Sequence, residues 1–496
     1  MNGERVRVRD LIILIPGITG SVLQKDGKDV WAPSLQAIFS AAATVGGSLR
    51  QLALQGDDPD IDDLEDGVQA TALIPDARIV PGLIKIDGYT KVTEMLHECF
   101  DITEGSIDPE ITTARPANFF QFPYDWRRDN RVASRRLKSL IDLRLKQWRE
   151  YSGEEAKVII IAHSMGGVIA RYYLEVLGGG ETCKALMTFG TPFRGSVKAL
   201  QYLANGCGKL FSILTELAHS FTSVYQLLPI YDVVNVDGDW KKVAELDLPG
   251  LNGQKVQEAL AFHREIMDCV DARLKAGNHA PYVLFPVVGT YQPTLQSAKL
   301  SGGRLAASDS LPPQYDKLLG HGDGTVPYLS AIPHELSTVY RNTFYAQCHA
   351  SLHCNEPAVD FIYNQLRDMQ VQSLADIRGP EISPRTRRRA AISLCVQDVY
   401  QAGEPVVIRA RILEDGEVMM DEERHLEHIA SLIATVEPTE ARAVPIKAVF
   451  LRAGNEWMLT LAGLAPGLYR IGVRPEKRGP LAPPSVHDLF QVALTT

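Results

Sequence analysis

The chain has 496 residues, 45% of them hydrophobic and 22% charged; 51 Lys+Arg against 60 Asp+Glu leave a net charge of −9. That length and apolar content bury a sizeable core and exclude disorder, collagen-like repeats and disulfide-stapled scaffolds. The acidic balance lacks the electrostatic footprint of a nucleic-acid binder, so no nucleic-acid partner is expected.

In chain order, the first predicted element is a buried strand at Leu11–Ile15, preceded by Arg5, Arg7 and Arg9 and ended by Pro16-Gly17. It is too short for a signal peptide or a membrane span, so a soluble, cytoplasmic protein is expected, peripheral wherever it meets a membrane. Trp31 to Leu54, with Ile38, Phe39, Val45 and Leu49, is a first amphipathic candidate. Strands follow at Val158–Ala162, Ala185–Phe189, Val283–Val288 and Thr338–Tyr345, with a helix at about Pro357 to Met369. Uninterrupted Val/Ile/Leu runs alternating with helical patterns predict an α/β fold with a parallel sheet covered on both faces. The excursion from Gly195 to about Ala280 is too long for a simple connection. Within it Leu210, Phe211, Ile213, Leu214, Leu217, Phe221, Val224 and Leu228 recur at helical spacing, as in a cap helix or a mobile lipid-facing lid.

Residues 379–389 combine Pro380 and Pro384 with Arg385, Arg387, Arg388 and Arg389, a linker that could also be cut by a protease or meet anionic lipid. Beyond it, short runs at Val406–Ile412, His428–Val436, Ile446–Phe450, Trp457–Leu461, Tyr469–Val473 and Leu489–Val492 predict an antiparallel, Ig-like β-sandwich over 390–496. The seven cysteines (Cys99, Cys183, Cys207, Cys269, Cys348, Cys354 and Cys395) are scattered and contain no Cys-x-x-Cys pair, as in a reducing compartment.

The most informative stretch is Val158-Ile-Ile-Ile-Ala-His-Ser164-Met-Gly-Gly-Val-Ile-Ala170. A β-branched strand runs through small-x-Ser-x-Gly into a helix, the context of a nucleophile elbow. Ser164 is the candidate nucleophile, and the helix start favours developing negative charge. A serine hydroxyl needs a base, and the base needs an orienting carboxylate, in the order Ser, Asp/Glu, His. Asp323, in His321-Gly-Asp-Gly-Thr-Val-Pro327, is the candidate acid, with Asp316 behind it and an ordinary Asx turn as the bland alternative. His349 and His353 compete as the base; His349 is nearer the strand end. Metal binding by Cys348, His349, His353 and Cys354 is disfavoured, because no second cluster completes a tetrahedron. The candidate oxyanion donors are the N–H groups of Met165 and of Ile18, with Thr19 second to Ile18. Thr19, Trp126 and His353 are candidate substrate contacts, although for Trp126 and Arg127 core and ion-pair roles compete.

Taken together, Ile15-Pro-Gly-Ile-Thr-Gly-Ser21, Phe122-Pro-Tyr-Asp-Trp-Arg127, Ala162-His-Ser-Met-Gly-Gly167, Thr188-Phe-Gly-Thr-Pro-Phe-Arg-Gly195 and Gly322-Asp-Gly-Thr-Val-Pro327 resemble the lecithin:cholesterol acyltransferase family. The resemblance runs over about residues 10–365 and implies an α/β-hydrolase, expected as a domain at 1–378 with cap and lid at about 195–280, and a Ser164–Asp323–His349 triad. It also implies oxyanion donors at Ile18 and Met165, acyl transfer from a glycerolipid and no metal or organic cofactor. The leading expectation is a lipid acylhydrolase or acyltransferase, most simply of phospholipase A type, meeting a glycerophospholipid or other lipid ester at a transient membrane surface. The alternatives are a soluble carboxylester or thioester hydrolase, a membrane-damaging lipase restrained by its C-terminal segment, and a binding module with an idle hydrolase. A protein partner or processing protease is expected to act through the C-terminal segment and linker.

Overall fold

The computed structural model describes residues 5–32, 50–75, 77–111, 115–206, 212–336, 344–371, 390–414, 417–418, 429, 431–439, 444–477 and 482–494. Ile38, Phe39, Val45, Leu49, Cys207, Leu210, Phe211, His428 and the linker 379–389 therefore lie outside the described residues, as does most of the predicted strand at Thr338–Tyr345.

Six parallel strands form the central sheet. They are β1 (Leu11–Ile15), β2 (Phe119–Gln121), β3 (Val158–His163), β4 (Cys183–Phe189), β5 (Val283–Gly289) and β6 (Phe344–Tyr345). Their order across the sheet is β6-β5-β4-β3-β1-β2, and every neighbouring pair is parallel. β1 and β3 are buried along their whole length, which is why they read as unbroken apolar runs. β2 agrees with the strand end expected ahead of Trp126 and Arg127, although Phe119-Phe-Gln121 is too short to carry a period of its own.

Helices cover the sheet: α1 (Thr90–Cys99), α2 (Asn130–Ser152), α3 (Met165–Glu175), α4 (Gly253–Lys275) and α5 (Glu356–Val371). α2 begins where the Asp129 side chain accepts the Arg131 N–H and stops at Gly153, which takes the left-handed conformation (φ 68°) that other residues resist. The predicted single helix in the excursion is corrected: the described part is Ser212–Ser220 followed by Thr222–Tyr225. The break falls at extended Phe221, whose ring meets Trp126 edge-on at 5.6 Å while Ser223 Oγ donates to the Trp126 carbonyl. Docking on the Trp126 loop thus overrides the helical period. The strands Val234–Val236, Asp239–Lys241, Ser297–Ser301 and Arg304–Ser308 add a four-stranded sheet that the sequence reading did not contain.

From Ala390 two sheets enclose a second core that includes Ile408, Ile412, Trp457, Ile471, Val473 and Phe490. One orders Ala390–Cys395, Val406–Glu414, Glu456–Leu461 and Leu451–Ala453, antiparallel throughout. The other is antiparallel, as expected, except at one edge, where Val399–Gln401 runs parallel to Val486–Ala493. This short crossing strand covers what would be an open edge of the last strand.

The C-terminal segment packs behind the loop that carries His349. Cys348 belongs to its core, and Ala350 packs with Leu489, Ala77 and Ile79. Buried Lys85 Nζ lies 3.0 Å from Asp488 Oδ2 and 3.2 Å from Asp398 Oδ1. Burial alone would drive the Lys85 ammonium toward neutrality, but the two carboxylates outweigh it and raise its pKa. The Arg470 guanidinium grips Asp87, whose own N–H donates to the Ala350 carbonyl at 3.0 Å. Gln292 accepts from Leu394 N and donates to the Ile392 carbonyl, both at 3.0 Å. Among the described residues no helix is long and apolar enough to cross a membrane.

Candidate active site

Ser164 stands between β3 and α3 with φ 52° and ψ −125°, a backbone conformation that a residue with a side chain adopts only under restraint. The restraint is visible. Ser164 N–H donates to the Phe189 carbonyl at 2.9 Å, and its own carbonyl accepts from Gly167 N at 3.0 Å and Thr191 Oγ1 at 2.9 Å. The two glycines after it are dictated by contact: a β-carbon on Gly166 would strike the Pro16 carbonyl and the Ile15 side chain, and one on Gly167 would strike Thr191. Small residues follow the serine because β1 and β4 flank it that closely.

His349 lies in the loop after β6. Its Nε2 is 3.0 Å from Ser164 Oγ and its Nδ1 is 2.7 Å from Asp323 Oδ2. Asp323 is also the Asx turn that the sequence offered as the bland alternative, because one oxygen serves each purpose. Oδ1 accepts the N–H groups of Thr325 at 2.9 Å and Val326 at 2.7 Å, which leaves Oδ2 aimed at His349. The His349 N–H also donates to the Asp323 carbonyl at 2.8 Å, tying the two loops at the backbone. Exposures of 3%, 1% and 2% for Ser164, Asp323 and His349 keep the three nearly free of competing water. The structure thus brings together Ser164, Asp323 and His349. Asp316 stays exposed in a turn, where its carbonyl accepts from Leu319 N.

Of the two candidate oxyanion donors, Met165 N–H opens α3, where the helix dipole is positive. Ile18 follows Gly17, which abuts the serine: a β-carbon on Gly17 would lie 2.9 Å from Ser164 Cβ. Neither N–H bonds another described residue. Thr19 takes φ 62°, its carbonyl accepts the Trp31 indole N–H at 3.0 Å, and its buried Oγ1 has no partner among the described residues.

The other two candidate substrate contacts are engaged elsewhere. Trp126 donates its indole N–H to the Ser21 carbonyl at 3.1 Å and packs against Trp31 and Phe221. His353 donates Nε2–H to the Gly88 carbonyl at 2.6 Å, and burial lowers its pKa to about 4. The residues around it point to different partners: Cys348 toward Gln292, Cys354 toward Asp87. No group of three or more metal-ligating side chains occurs among the described residues.

Three site residues, Gly190, Gly289 and Tyr89, escaped the sequence reading, and a fourth, His163, stands beside the serine on the wrong side of the elbow to be its base. Gly190 takes φ 59°, and a β-carbon there would lie 2.8 Å from Asp323 Oδ2 and 2.9 Å from His349 Nδ1. Gly289 is pressed against the Asp323 side chain in the same way. Tyr89 and His163 lie beneath the serine and hydrogen-bond to each other. Gly190 had a signal, since it lies inside the quoted Thr188–Gly195 motif; Tyr89 had none.

Compared with known proteins, the chain is similar over 98% of its length to the lipase BlEst2 of Bacillus licheniformis in propeptide form. The identity is 11%, 95% of that chain is covered, and the TM-score is 0.33. The mature form of the same lipase matches 72% of this chain and 91% of its own, at 16% identity and TM-score 0.29. Phospholipase PlaB of Legionella pneumophila, in complex with thio-NAD, matches 84% of this chain and 88% of its own, at 10% identity and TM-score 0.24. No curated protein sequence matches the chain. Residues 89–275, which hold the Phe122–Arg127, Ala162–Gly167 and Thr188–Gly195 motifs, match the family model described as lecithin:cholesterol acyltransferase, and over that segment the resemblance read from the motifs is shown.

Proposed function

We propose that this protein is a serine-dependent lipid acylhydrolase of phospholipase A type that works through an acyl-enzyme. The observation that carries the reading is the buried chain of contacts Ser164 Oγ to His349 Nε2 (3.0 Å) and His349 Nδ1 to Asp323 Oδ2 (2.7 Å). Ser164 Oγ attacks the ester carbonyl carbon while His349 Nε2 takes its proton. Asp323 accepts the Nδ1–H and stabilises the imidazolium. The tetrahedral oxyanion receives the N–H groups of Met165 and Ile18, and Thr19 Oγ1 lies next in the chain as a further donor. Collapse breaks the C–O bond of the ester, and the leaving alcohol takes the proton from His349 Nε2–H. Water then attacks the acyl-Ser164 carbonyl with His349 again as base, releasing the fatty acid. Transfer to a second alcohol differs only in this acceptor.

The family match supports a lipid ester, most simply a glycerophospholipid, over a soluble carboxylester or thioester. The proposal divides the chain into a hydrolase unit, 1–378, and a C-terminal β-sandwich, 390–496, and places the protein in the cytoplasm with transient contact to a membrane. The contacts of Gln347, Cys348 and Ala350 with the C-terminal segment support a role in holding the His349 loop, which fits poorly with a restraining one. An alkyl fluorophosphonate tests the mechanism. It should add once, on the peptide containing Ser164, and Ser164→Ala should take up none; labelling elsewhere, or equal labelling of the variant, contradicts the reading.

A further inference from the structure

Tyr89 and His163 are 1% exposed, and neither has a part in the chemistry above. Their bonds nevertheless run from one side of the site to the other. The Gly17 N–H donates to Tyr89 Oη at 2.8 Å. Tyr89 Oη lies 3.0 Å from His163 Nδ1, and His163 Nε2 lies 3.3 Å from the His349 carbonyl oxygen. A carbonyl only accepts, so the His163 proton belongs on Nε2. Nδ1 is then an acceptor, and the Tyr89 hydroxyl must donate to it while accepting from Gly17. One direction satisfies the whole chain: Gly17 N–H to Tyr89, Tyr89 O–H to His163, His163 Nε2–H to His349. Burial first, then the neighbouring His353 and His349, hold His163 well below its ordinary pKa, so this neutral tautomer persists.

The ends of the chain are the two parts of the site that must keep a fixed distance. Gly17 precedes Ile18 and touches Ser164; His349 supplies the base; His163 precedes Ser164 directly. The His353 ring packs against both, tilted by 32° to His163 at 4.3 Å between centroids and by 37° to Tyr89 at 4.9 Å.

We propose that Tyr89 and His163 form a buried positioning relay that fixes the oxyanion loop at Gly17–Ile18 relative to His349, and so governs kcat rather than KM. The inference rests on the proposed roles of Ser164 and His349. It differs from simple core filling, because a pair that only fills space would survive loss of one hydroxyl oxygen. Small displacements of positioned groups lower rates by up to about 100-fold.

The test compares wild type, Tyr89→Phe, His163→Gln, the double variant and Ser164→Ala on p-nitrophenyl butyrate, with circular dichroism as the check of folding. Tyr89→Phe should lower kcat by about 10- to 100-fold with KM within twofold. The double variant should be no slower than the slower single, since either change breaks the same chain. Tyr89→Phe within twofold of wild type in kcat, or single effects that multiply in the double variant, overturns the relay while Ser164-dependent turnover stands. Wild-type turnover that survives Ser164→Ala instead overturns the site reading and the relay with it. If Tyr89→Phe does not fold, His163→Gln decides: unchanged kcat refutes the relay, and a lowered kcat at constant KM supports it.

Discussion

Replacing Asp323 by Asn separates the two tasks of its carboxylate. Oδ1 holds the loop through Thr325 and Val326 N–H, and Oδ2 holds His349. An amide has one oxygen. If that oxygen stays on the two backbone donors, the NH2 group faces His349 Nδ1 and donates to it. The imidazole proton must then move to Nε2, so His349 offers Ser164 a donor where it needs an acceptor. Neutralising the orienting acid of a Ser-His-Asp site in this way lowers kcat by about 10⁴-fold. That corresponds to about 5 kcal/mol of barrier, at about 1.4 kcal/mol per factor of ten. The loop keeps its backbone bonds, so unfolding should be easier by only about 1.5–3 kcal/mol, the range for one charge-assisted bond. Steady-state kinetics on p-nitrophenyl butyrate and urea unfolding read both quantities. A folded Asp323→Asn protein with kcat within tenfold of wild type would refute the claim that this carboxylate sets the tautomer of His349.

Other expectations follow from the same geometry. Gly190→Ala should lower kcat at least tenfold, since the new β-carbon would wedge between Asp323 Oδ2 and His349 Nδ1 and the left-handed backbone alone costs about 1–2 kcal/mol; kinetics and a thermal melt check it. Stability should fall as the pH drops from about 6.5 to about 4, because burial holds His353 and His263 near 4 while the unfolded chain takes up protons through 6.5. The unfolded state binds more protons in that window, so the slope is positive with pH, at most roughly 3 kcal/mol per histidine, and flat above it; urea midpoints across the range measure this. Lys85→Met should destabilise by about 3–5 kcal/mol, because it leaves Asp488 buried without its cation. Through the His349 loop it should also reduce turnover; restraint by the C-terminal segment predicts higher turnover.

What could be read from the sequence was local and periodic. β1 and β3 are buried on both faces, so their composition announces them, and the elbow needs small residues at fixed offsets from Ser164. Asp323 and His349 were found by chain order and loop chemistry. His349 could be preferred to His353 only by its distance from a strand end; the structure separates them by partner, one on Ser164 and Asp323, the other on Gly88. Long-range dependence was not legible. Tyr89 is 74 residues from His163, and Lys85 is 403 residues from Asp488, so no spacing rule links them. The helix predicted across Phe221 failed because a tertiary contact with Trp126 outweighed the local period. The parallel strand at Val399–Gln401 is three residues long and has no pattern to recognise.

The central claim is that Ser164 carries an acyl group cleaved from a lipid. Mass spectrometry of products from mixed phospholipid and neutral-lipid vesicles, wild type against Ser164→Ala, tests it most directly. The account predicts free fatty acid and lysophospholipid from wild type, with Ser164→Ala reduced to background. Products that persist in Ser164→Ala, or wild-type protein that turns over soluble esters and leaves every vesicle lipid intact, would contradict it.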